Sequence, residues 1–148
     1  MGFVFDTTGQ LKAPFWMKYD QFGRVIILAR AHDTLTAGTP YRIKYDEYGP
    51  FTAAIATDSD DYRVGIAKKA YIGDAIAELI HGGYYSAMNA TASLVMAIGE
   101  GIFMSGGTCS DAAADFDDFG SNFALSAATT SSTTQPVVMI PEIITATS

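Results

Sequence analysis

The chain reads first as short apolar runs separated by turn residues. Residues 24–30 (RVIILAR) form an uninterrupted apolar run of strand length. Residues 33–38 (DTLTAG) are turn chemistry. Tyr41, Ile43 and Tyr45 then alternate with Arg42, Lys44 and Asp46, the two-residue period of a half-buried strand. Residues 47–50 (EYGP) turn the chain and residues 51–57 (FTAAIAT) return it. After the acidic turn at 58–61, residues 62–70 predict another strand.

Two segments fit either period. In 73–83 (GDAIAELIHGG), Asp74 could cap a short helix ended by Gly82. Alternatively, Ala75, Ala77 and Leu79 line one side of a strand, which the regular turn spacing favours. Residues 89–98 (NATASLVMAI) carry the same ambiguity. The stretch 124–136 (ALSAATTSSTTQP) ends rich in Ser and Thr and predicts an exposed loop. Residues 137–144 (VVMIPEII) close the sheet, with Pro141 removing a ladder donor and placing that strand at an edge or a bulge.

Residues 1–23 carry six aromatics, Phe3, Phe5, Phe15, Trp16, Tyr19 and Phe22, with neither a helical nor a strand period. Gly9 and Pro14 break the segment. Such a segment must cover its apolar area, either on its own core or on a neighbouring subunit. The division this suggests is an arm at 1–23 and a β-domain at 24–148.

Composition sharpens the fold class. The 14 Gly, 8 Tyr and 9 Phe suit pleated sheets and tight turns, and only 17% of residues are charged. The expectation is an all-β barrel or sandwich. A net charge of −7 repels phosphate backbones, which argues against nucleic acid. No run approaches the roughly 20 apolar residues of a membrane helix. The start, MGFVFDTTGQ, has no basic region leading into an apolar one, so no signal peptide is expected. Cys109 is the only cysteine, so no internal disulfide forms, which fits a reducing cytoplasm.

The chain also resembles itself. Residues 60–70 (DDYRVGIAKKA) align with 117–127 (DDFGSNFALSA) at an offset of 117 − 60 = 57, with Asp60, Asp61, Ala67 and Ala70 recurring as Asp117, Asp118, Ala124 and Ala127. Upstream, residues 38–43 match 99–104 in pattern at an offset of 61. The expectation is two related halves, 31–81 and 91–140, each ordered as Gly turn, strand, loop, acidic turn and strand.

The run LTAGTPYRIKYDEYGPFTAAIATDSDDYRVGIAKKAYIGDAIAELIHGGYYS resembles the small cement, or decoration, proteins of tailed-bacteriophage capsids. Ala37-Gly38, Gly65-Ile66-Ala67, Gly73-Asp74 and Gly82 occupy the places of that family's pattern. The second half is a more degenerate copy, with Asn122 where Gly65 stands in the first. The resemblance spans roughly 24–144. It implies a β-domain on the outer shell of the virion, clamping major capsid protein subunits as a dimer or trimer, without catalysis or a cofactor.

Other chemistry is sparse. There is no Gly-x-Ser-x-Gly elbow, no His-Glu-x-x-His and no cysteine pair for zinc. Gly99-Glu100-Gly101 begins like a dinucleotide fingerprint, but Met104 stands where the third Gly is needed. His32 and His81 read as surface or hydrogen-bonded groups at turns or strand ends. Cys109 has no basic neighbour in sequence to activate it. The carboxylates of Asp58, Asp60 and Asp61, and of Asp111, Asp115, Asp117 and Asp118, could hold Ca²⁺, but Asp also serves tight turns, the reading preferred here. Candidate interface anchors are Phe3, Phe5, Phe15, Trp16, Tyr19 and Phe22, with Tyr84 and Tyr85 next; the tyrosine pair serves core packing equally well. The alternative function is a carbohydrate- or cell-surface-binding β-sandwich stacking sugars on Trp16 and tyrosines.

Overall fold

The computed structural model describes residues 17–56, 63–91, 94–110, 123–128 and 133–139, and among these it is all-β with no helix. The strands are β1 (Met17–Tyr19), β2 (Val25–Arg30), β3 (Pro40–Asp46), β4 (Gly49–Ile55), β5 (Arg63–Ala67), β6 (Ile76–Asn89), β7 (Phe103–Ser105), β8 (Thr108–Ser110), β9 (Phe123–Ala124) and β10 (Thr134–Met139).

Five of them close on one another. β2 pairs with β6, β6 with β5, β5 with β3 and β3 with β4, all antiparallel; β4 returns to β2 through one parallel pair, Arg30 with Phe51. Every strand of the ring turns a face inward: Ile27 and Ala29, Tyr41 and Ile43, Thr52, Ala67, Ala77 and Leu79 are all buried. So small a ring has little interior room, which explains the alanines there. Gly65 shows how tight it is, since a Cβ would lie 2.7 Å from Leu79 Cβ and 2.8 Å from Ile43 Cδ1.

The outer face of the same strands is buried too. Ile26, Leu28, Val64, Ile66 and Ile80 join Met88, Met96, Ile102, Cys109 and Val137 of the C-terminal half in one apolar cluster. β2 therefore lies between two cores, which is why residues 24–30 show no polar alternation.

The segment 73–83 opens a strand, not a helix, and that strand does not stop at Gly82. β6 runs 14 residues. Its first half pairs with β2 and β5, its second half with β10. At the changeover Gly83 has φ +102°, and the register against β2 shifts between Val25 and Ile26. An irregularity of this kind lets one strand serve two sheets.

The two halves meet at this bend, and their bonding repeats. Gly38 N donates to Ala67 O (2.9 Å) and Ala67 N to Thr39 O (3.1 Å); Gly99 N donates to Ala124 O (2.8 Å) and Ala124 N to Glu100 O (2.9 Å). The antiparallel bridge Leu35–Tyr71 recurs as Met96–Ala128, and a parallel bridge Ala90–Cys109 answers the pair Arg30–Phe51. The β5–β6 hairpin, with Ala67 opposite Leu79, recurs as β9–β10, with Ala124 opposite Val137. The boundary falls at Gly83, inside β6, so one continuous strand ends the first half and begins the second. Residues 57–62 and 111–122, and with them most of the 60–70 and 117–127 alignment, lie outside the described residues.

Three local expectations change. β10 begins at Thr134, inside the stretch read as a loop. It lies between β6 and β9, not at an edge, and its register shift against β6 falls between Gln135 and Val137, at Pro136; Pro141 lies outside the described residues. In 89–98 the strand ends at Asn89, and the part from Leu94 on is irregular apart from the Met96 bridge. His81 is buried within β6, its Nδ1 2.8 Å from Val64 O, where a turn or strand end was expected.

Candidate interface at the junction of the two halves

β1 hairpins back onto β2 through a turn built by Asp20. One carboxylate oxygen accepts the amides of Phe22 and Arg24, both at 2.9 Å, and the other accepts Arg24 Nε at 2.6 Å. Burial pushes the Asp20 carboxyl up, but the Arg24 amide and guanidinium and the Phe22 amide outweigh it, and the group titrates below its usual value. Gly23, with φ +74°, completes the turn. The sequence carried this signal in Asp20 and Gly23, a turn-forming pair that reading for aromatics alone passes over.

Arg24 lies beneath this turn, its side chain 15% exposed and paired with Asp20. Its guanidinium carbon lies 5.1 Å from the Phe22 ring centroid. Its backbone and side chain pack against Gly83, next to Tyr84 and Tyr85. Tyr19 is 77% exposed, Phe22 70% and Tyr84 49%. Tyr85 packs partly buried against the main core, and burial pushes its phenol up. Tyr19 and Phe22 thus flank the Asp20 turn, Tyr84 follows the glycine that packs on Arg24, and Tyr85 serves chiefly packing. Phe3, Phe5, Phe15 and Trp16 lie outside the described residues, as do the acidic groups at 58–61 and 111–118. Of the segment read as an arm, Met17–Tyr19 is an edge strand of the sheet, held by register with Val25–Ile27.

The remaining candidates have local duties. His32 Nδ1 lies 3.3 Å from Asp33 Oδ2 on the surface. Glu100 accepts the Ala97 amide at 2.7 Å, closing the turn that carries Gly99. Cys109 is fully buried. Among the described residues no three His, Cys, Asp or Glu side chains gather as metal ligands. What the junction offers chemically is stacking and apolar contact beside a cation, suited to recognising a surface.

Compared with protein-family models and with curated sequences, the chain matches none.

Proposed function

We propose that this protein is a structural virion component that binds the outside of a bacteriophage capsid and steadies contacts between major capsid protein subunits. The observation that carries the reading is the exposure of three large aromatics, Tyr19, Phe22 and Tyr84, with the Arg24 guanidinium over the Phe22 ring. Aromatic side chains bury roughly 150–250 Å² each with few rotors to freeze, which makes them effective anchors. An exposed set of them has the composition of an interface centre. The duplicated β-domain and the resemblance over residues 24–144 point the same way. Several weak contacts made at once on a lattice reinforce one another.

The test is co-sedimentation of the purified protein with shells assembled from the major capsid protein of the phage that encodes it. Saturable binding, lost when Tyr19, Phe22 and Tyr84 are all changed to Ala, is the expected result. Absence of binding to such shells would overturn the reading, and binding to glycans through the same side chains would favour the carbohydrate-binding alternative.

A further inference from the structure

The described contacts that fasten β1 are largely polar. Met17 is 36% and Tyr19 77% exposed, so the strand brings little apolar surface to the sheet. Lys18 Nζ instead pairs with one carboxylate oxygen of Glu78 on β6, and Lys68 Nζ takes the other at 3.1 Å. The three side chains are 27–29% exposed. Glu78 N donates to Tyr71 OH at 3.1 Å, so Lys18, Lys68 and Tyr71 are the charged and titratable groups that face Glu78. The hydrogen bond from Lys18, joined by that from Lys68, outweighs the burial that opposes them and holds the Glu78 carboxyl below its usual range.

The second half supplies an independent observation. Near residues 84–86, the start of the half-strand that answers β2, the described pairings are those with β10 alone. The β6–β10 and β9–β10 pairings and the Ala90–Cys109 bridge form nonetheless. Among the described residues these pairings form without a strand in the place of β1.

We propose that β1 is a detachable edge strand latched by the Lys18–Glu78–Lys68 cluster, able to leave β2 while the five-stranded ring stays folded. The latch then decides whether Tyr19 is held at the junction surface. Its test does not depend on what that surface binds.

Hydrogen exchange resolved by residue tests it, on the full chain, for the native protein, for Glu78→Gln and for the native protein in about 1 M salt, where the screening length falls to roughly 3 Å. Exchange at Met17–Tyr19 should accelerate about tenfold in Glu78→Gln, the equivalent of a latch of ~1.4 kcal/mol. It should also accelerate in high salt, with β3, β5 and the β2–β6 pairing unchanged. If Glu78→Gln fails to fold, Lys18→Met removes the ammonium, keeps the apolar stem and carries the same expectation. Unchanged protection of β1, or loosening of β1 and the ring together, would overturn the proposal.

Discussion

Arg24 and Gly83 lie against each other where the two halves of the fold meet: a Cβ on Gly83 would come within 3.1 Å of Arg24 Cγ and 3.3 Å of its Cα. The contact joins the turn that presents Phe22 to the bend that presents Tyr84. Gly83 is also held at φ +102°, where an L side chain is strained. Gly83→Ala should therefore destabilise the protein by about 1–3 kcal/mol. Thermal unfolding would register this as a fall of several degrees. An unchanged midpoint would mean that the bend relaxes freely and does not fix the junction.

Inside the ring the constraint is volume. Gly65→Ala would place a methyl 2.7 Å from Leu79 Cβ, a backbone-anchored atom that cannot swing away. Overpacking of this kind typically costs about 1–3 kcal/mol. Gly101→Ala is the control, because a Cβ there meets nothing within 4 Å. Chemical denaturation should separate the two variants clearly. Equal stability would show that the ring is looser than its side chains suggest.

The Asp20 turn predicts a pH dependence of definite sign. Its carboxyl titrates lower in the folded protein than its ordinary value. Its contribution is therefore complete above an unfolded pKa near ~4 and is lost as pH falls through the lower folded value. Asp20→Asn keeps an acceptor for the amides of Phe22 and Arg24 but removes the charge facing Arg24. The stability gap between Asp20→Asn and the native protein should be constant near neutrality and narrow on acidification below about pH 4. Glu78 titrates low in both proteins, so its effect cancels in the comparison. A gap of the same size at low pH would assign the turn's stability to its neutral hydrogen bonds alone.

What could be read from the sequence, and what could not, follows from the range of the forces involved. The alternation through Tyr41, Ile43 and Tyr45 is local, and β3 appears where it places it. Of the recurrence at an offset of 57, the Asp pairs lie outside the described residues, but Ala67 and Ala124 bond in the same way to the glycine turns at Gly38 and Gly99. The course of β6 through Gly82 and Gly83 was not legible, because glycines end strands as readily as they bend them. Which partner lies beyond a bend depends on residues far away, here Val137 and Val138 of β10. A register shift at Pro136 was not anticipated for a similar reason: a proline lacks a donor wherever it stands, and only the pairing partner tells whether it interrupts a ladder. For the surface, exposure was the missing quantity. Tyr84 and Tyr85 are indistinguishable as a dipeptide, yet alternation sends Tyr85 toward Val137 and the core and Tyr84 outward.

Because β1 belongs to the sheet, the role of the N-terminal segment depends on where it is cut. Removing residues 1–16 leaves Met17–Tyr19 paired with Val25–Ile27 and the Asp20 turn intact. Removing residues 1–22 deletes Lys18 and Asp20, and with them the ion pairs to Glu78 and Arg24. The longer truncation should be less stable than the shorter in thermal unfolding, whatever residues 1–16 contribute. In the shorter one, Phe22→Ala and Tyr19→Ala should leave the unfolding midpoint nearly unchanged, because both side chains are more than two-thirds exposed. Under the proposed function each should weaken capsid binding, since interface anchors are often worth about 2 kcal/mol or more and ~1.4 kcal/mol is tenfold in affinity. If the shorter truncation loses binding by itself, the anchors are among Phe3, Phe5, Phe15 and Trp16. If both substitutions leave binding intact, the exposed aromatics beside the Asp20 turn are not the interface that the proposed function requires.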